Sequence, residues 1–251
     1  FRMELKQKDA AGKTGFDLGL NLLFGDTTIT ASLFPINPIL GYSRWIVNPD
    51  NRIVIGPHGR IRANLRMTYL DKLINLQSLP EENGMHDRLQ IEIEGLDLAA
   101  LSQTVPFMPQ LTGVLNTNLH LYTRDKVMGA DGNIDIVELG YEQQRIGTVE
   151  LGLQYSAGNN FTQHAVDFEL RIDSIRRVVA RGSFATSEQN RDLMIDMDIP
   201  SLPLYLANAF MPADLMKLTG DLTGNVYFRG TLDEPEINGK LAFEGAKADV
   251  V

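Results

Sequence analysis

Apolar residues recur at every second position through most of this chain. Phe16, Leu18, Leu20, Leu22 and Phe24 form one such run, and Ile61, Ala63, Leu65, Met67 and Tyr69 another. A period of two places one set of side chains on a single face of a pleated strand. Leu222, Gly224, Val226 and Phe228 repeat the pattern near the end of the chain. The turn Gly230-Thr231-Leu232-Asp233-Glu234-Pro235 follows, and then Ile237, Gly239, Leu241 and Phe243. Pro235 lacks a backbone donor and suits the first position of a strand.

Between these runs the same reading gives strands around Ile29–Leu33, Tyr42–Val47, Arg52–Ile55 and Leu89–Ile93. Later strands are marked by Leu115 to Leu121, by Ile134 and Ile136, and by Val149, Leu151, Leu153 and Tyr155. Val166, Phe168, Leu170 and Ile172 mark the next, followed by Val178–Phe184 and by Leu193, Ile195, Met197 and Ile199. The period changes in three places. Leu70, Leu73, Ile74 and Leu76 predict a short helix over 70–79, Leu96 to Leu101 a second, and Leu202 to Lys217 a third, interrupted at Pro212.

A long internal repeat is visible. A Leu-rich segment and Phe107-Met108-Pro109 precede Leu111-Thr112-Gly113, and a second Leu-rich segment and Phe210-Met211-Pro212 precede Leu218-Thr219-Gly220. Each copy follows an acidic strand, at an offset of about 105 residues, which points to stacked modules sharing one sheet. The expected modules are 1–79, 88–200 and 201–251, with 80–87 as a linker or loop and 201–251 as the start of a further, truncated repeat.

About 14 such strands, at about 4.8 Å spacing, would make a ribbon roughly 65 Å long. Open sheets of that size curl or split into layers. Helix is too scarce to cover one face, so the apolar face must meet itself in a sandwich, a barrel or a U-shaped trough. The alternation alone favours a β-sandwich, and the modular repeat favours the trough.

The chain has 251 residues, a net charge of -9 and no cysteine. An anionic chain lacks the cationic footprint of nucleic-acid binding. Disulfides, thiol catalysis and cysteine-based zinc sites are excluded. No apolar run reaches the roughly 20 residues of a membrane-spanning helix.

His58, His86, His120 and His164 match no metal-ligand spacing. Asp131-x-Asn133-x-Asp135 with Glu142 is a poor calcium loop, because Ile136 stands where the sharp turn needs glycine. No phosphate loop, dinucleotide fingerprint or nucleophile elbow occurs. Neither catalysis, a cofactor nor a metal is expected. Arg60, Arg62 and Arg66 form a basic stripe that reads as a solvated face, or more weakly as a contact for anionic headgroups.

The stretch LTGDLTGNVYFRGTLDEPEINGKLAFEG resembles the TamB/AsmA-like family of envelope proteins. Leu218, Gly220, Leu222, Gly230, Thr231, Leu232, Pro235, Gly239 and Leu241 carry the resemblance. GLDLAALSQTVPFMPQLTGVLNTNL and DGNIDIVELGYEQQRIGTVELGLQYS are similar to the family's helix-plus-strand and strand-pair units. The resemblance covers most of 89–251.

It implies an extended antiparallel sheet curled into a U-shaped, taco-like groove with two or three short helices. It also implies a periplasmic location, anchored in the inner membrane through a segment outside this chain. The groove would hold or conduct phospholipid acyl chains toward the outer membrane. The older view of the family implies instead assistance to assembly or secretion of outer-membrane β-barrel proteins, with a BamA-type β-barrel partner. On the lipid reading the candidate lining residues are Leu119, Leu121, Ile134, Ile136, Val149, Leu151, Leu153, Val166, Phe168, Leu170, Ile195, Met197, Val226, Phe228, Leu241 and Phe243.

Overall fold

The computed structural model describes residues 1–57, 60–105, 108–124, 127–142, 144–157, 162–187, 191–211 and 216–250. His58, Phe107 and Pro212 lie outside the described residues. The protein is mostly β, with a single 17-stranded antiparallel sheet that is not closed into a barrel and almost no helix. Two compact units divide the chain, 1–123 and 124–251.

In the first unit, β1 (Arg2–Lys8), β2 (Thr14–Phe24), β3 (Ile29–Leu40), β6 (Arg52–Ile55), β7 (Ile61–Tyr69), β8 (Lys72–Ser78) and β9 (Met85–Asp97) pair in succession, all antiparallel. Two short pieces, β4 (Ser43–Arg44) and β5 (Ile46–Val47), bridge β3 and β7. Helix α1 (Leu98–Ser102) and β10 (Leu111–Arg124) complete it. The alternation seen in β2 and β7 turns Phe16, Leu18 and Leu65 to one side. There they pack with Leu40, Trp45, Val47, Met67 and Leu96 into an enclosed core. Trp45 is 2% exposed and Val47 1%. Beside β3, Asn51 supplies backbone partners, accepting from Leu33 N at 2.6 Å and donating to Leu33 O at 3.3 Å.

The helix predicted over 70–79 is a strand. Leu70 is 83% exposed in a turn with φ +52°, so it belongs to no helical stripe. Ile74 and Leu76 face the core across from Met67 and Leu65, and Leu73 and Asn75 are buried on the other side of β8. A strand covered on both faces loses its polar alternation, which is why its apolar residues mimic a helical spacing. Residues 80–87 span the β8–β9 connection and the start of β9 within this unit. The second predicted helix is α1, capped by Asp97, whose carboxylate accepts from Ala100 N at 3.1 Å.

The second unit is a succession of hairpins: β11 (Val127–Tyr141), β12 (Gln144–Ala157), β13 (Gln163–Ile172), β14 (Ile175–Ala185), β15 (Leu193–Pro203), β16 (Met216–Gly230) and β17 (Pro235–Val250). Each pairs antiparallel with the next. The third predicted helix, over Leu202–Lys217, shrinks to one 3-10 segment, Leu204–Phe210, and β16 has begun by Met216. A short helical segment follows a strand at β9–α1–β10 and again at β15, the 3-10 segment and β16.

Candidate functional site

Strand register decides which of the alternating residues come together. Leu153 pairs with Phe168, Phe168 with Ala180, Ala180 with Met197, Met197 with Val226 and Val226 with Gly239. A second row runs Tyr155, Val166, Gly182, Ile195, Phe228, Ile237. A third joins Ile134, Leu151, Leu170 and Val178, and a fourth Ile136, Val149 and Ile172. Directly opposed residues point to the same face, so these rows are contiguous. Leu241 and Phe243 join it opposite Gly224 and Leu222.

Fourteen of the sixteen candidate residues therefore lie on one face of β11–β17. Leu119 and Leu121 are half-buried on β10, the neighbour of β11 in the sheet. None of the fourteen is fully buried. Phe243 is 66% exposed, and its same-face neighbour Ile237 64%. The enclosed cluster of the first unit has no counterpart among the described residues of the second.

Two glycines on this face lie tight against the next strand. A Cβ placed on Gly182 would stand 2.0 Å from Met194 O, and one on Gly224 2.0 Å from Lys240 O, so only glycine leaves room for the neighbouring backbone at these positions.

The two ends of the strands differ. At one end the 3-10 segment crosses from β16 to β12. Asn208 accepts from Leu218 N at 2.8 Å and donates to Leu218 O at 3.0 Å, while the Tyr205 hydroxyl donates to Ile146 O at 3.0 Å. Ile172 and Ile199 are buried at this end. At the other end, the last described residues of this face include Tyr155, His164 and Phe184. The His164 ring stacks on Phe184 at 4.5 Å and on Tyr155 at 5.9 Å. Its Nδ1 lies 2.6 Å from the Tyr155 hydroxyl, and Nε2 3.1 Å from that of Thr186. Sequence spacing gave no hint of this cluster, because only the hairpin registers bring its members together.

The opposite face is polar. Arg181 bonds Asp167 at 2.9 Å, and Arg229 pairs with Asp196. Arg171, with Arg176 beside it, holds the Glu169 carboxyl below the usual carboxylate range. Asp131, Asn133 and Asp135 lie along β11, and no group of three metal-capable side chains occurs among the described residues. In the first unit, Arg60 approaches Asp87 at 3.4 Å, and Arg66 gives its backbone N–H to Asn48 Oδ1 at 2.8 Å. His86 lies 2.9 Å from Glu81.

An unclosed antiparallel sheet that gathers polar residues on one face of β11–β17 and apolar residues on the other defines a class of mostly-β proteins built from successive hairpins. Within that class the chain belongs to the family described as "TamB, N-terminal domain", whose model matches residues 78–243, about two thirds of the sequence. It is a TamB-type envelope protein. That match spans all sixteen candidate residues. Searches of curated proteins and of solved structures returned no match. No described helix is long and apolar enough to cross a membrane.

Proposed function

We propose that the apolar face of β11–β17 is a groove that holds phospholipid by its acyl chains and conducts it, in the periplasm, between the inner and outer membranes. One observation carries this reading: seven consecutive strands pool their apolar side chains on one face, and none of the fourteen candidates there is enclosed by protein. Removing acyl chains from water contributes about 0.8 kcal/mol per CH₂. The face offers hydrocarbon contacts without direction, so a bound chain can slide without breaking strong bonds.

Replacing Leu153 or Phe168 by Asp tests this. The expected result is a folded protein that no longer crosslinks to lipid through a photoactivatable acyl chain. A variant that unfolds instead marks the position as sealed core and sinks the groove.

A second reading rests on β17. Sixteen residues long, it pairs with β16 and is exposed along its described length. Such a strand suits β-augmentation by an unfolded strand of an outer-membrane β-barrel client, in concert with a BamA-type partner. Peptide capture that survives Leu153→Asp would favour it over lipid.

A further inference from the structure

Among the described residues, a polar cluster interrupts the apolar face at the end opposite the 3-10 segment. His164 occupies the row next to Tyr155–Val166–Gly182, between Ala157 and Phe184. Both of its ring nitrogens meet hydroxyls, Tyr155 at 2.6 Å and Thr186 at 3.1 Å. A neutral imidazole donates through one nitrogen and accepts through the other. In one neutral tautomer Thr186 donates to Nε2 and Nδ1–H donates to the Tyr155 oxygen, which leaves the phenol's own hydrogen to an acceptor; in the other tautomer the phenol donates to Nδ1, and an anionic acceptor beside Tyr155 selects the first. Burial pushes the Tyr155 phenol above its ordinary value, so it keeps that hydrogen at neutral pH. Leu153, two residues along the strand, is about 7 Å away, within the reach of a glycerol backbone and its ester linkages.

We infer that the Tyr155 hydroxyl, oriented by His164, is a hydrogen-bond donor to the phosphodiester of a glycerophospholipid whose acyl chains lie on the Leu153–Phe168 rows. This rests on the lipid-holding reading and assigns its polar end. Tyr155 makes the contact, and His164 is a positioning residue. The stacked rings of Phe184 and Tyr155 fix the imidazole plane. The apolar rows supply most of the holding, and the phenol supplies the distinction between a lipid with a phosphate and one without.

The test uses two probes with identical fluorescent acyl chains, phosphatidylglycerol and diacylglycerol, incubated with the delipidated full chain and counted after gel filtration. One charge-assisted hydrogen bond predicts retention of phosphatidylglycerol over diacylglycerol by about tenfold. Tyr155→Phe, which deletes one oxygen, should bring that ratio close to one. His164→Phe should lower the ratio in the same way, and His164→Gln, which can both donate and accept, should restore part of it. If His164→Phe fails to fold, Tyr155→Phe decides the question.

Equal retention of both probes by the unsubstituted protein overturns the headgroup contact and leaves the groove intact. Retention of neither overturns the groove itself. Displacement of phosphatidylglycerol by inorganic phosphate alone would show an anion site independent of lipid, and would also overturn the inference.

Discussion

Gly182 and Gly224 sit where a side chain would strike the backbone of the next strand. In the sequence they read only as small members of an apolar alternation, because pattern shows which face a residue takes and not how near the neighbouring strand comes. Replacing Gly182 by Val should force that neighbour away and cost about 1–3 kcal/mol, the usual range for overpacking. Chemical denaturation read by tryptophan-independent circular dichroism would show a lowered midpoint. An unchanged midpoint would contradict the close approach. His164 was illegible for a different reason. Residues 155, 164, 184 and 186 meet only once two hairpin registers are fixed.

At the scale of elements, the two units use the same alternation differently. In the first, Trp45 and Val47 are enclosed, and truncating Trp45 to Ala should cost about 3–5 kcal/mol. In the second, Leu153 is only half-buried, and Leu153→Ala should cost about 1 kcal/mol. Similar losses at both positions would show that the second unit is packed as tightly as the first. The 3-10 segment gives a separate test. Asn208→Ala removes both of its bonds to Leu218 and should lower stability by about 1–3 kcal/mol. Hydrogen exchange should then quicken at Leu218 but not at Leu241 on the far strand.

Most strands were legible because one of their faces is polar. β8 was not, since it is covered on both sides. The third helix was read too long, because Leu-rich sequence up to Lys217 continues into β16 without a change of composition. That the apolar faces of seven strands would line up was an expectation from their shared period. Which residues stand opposite one another required the register.

For the whole molecule, charge sets the pH response. Hydrogen bonding from Asn48 lowers Asp50, Arg145 lowers Glu138, and Arg171 lowers Glu169. Their folded values lie below their unfolded ones, so their contribution is complete above the ordinary carboxylate range and is lost as pH falls through the folded values. Thermal melting should therefore soften below about pH 4.5. Because these groups are solvated, the effect should shrink in high salt. Melting that is flat down to pH 3 would show that these pairs contribute nothing.

The family was legible from the Gly-Thr-Leu-x-x-Pro turn and the long repeat, and the match over 78–243 bears it out. What covers the apolar face was not legible, because alternation is the same whether that face meets protein or lipid. Mass spectrometry of organic extracts from the purified chain puts this to the test most directly. The account predicts phospholipid in the extract of the unsubstituted protein, and its loss from a Leu153→Asp variant that remains folded. An extract free of phospholipid, or a Leu153→Asp variant that unfolds, would contradict it.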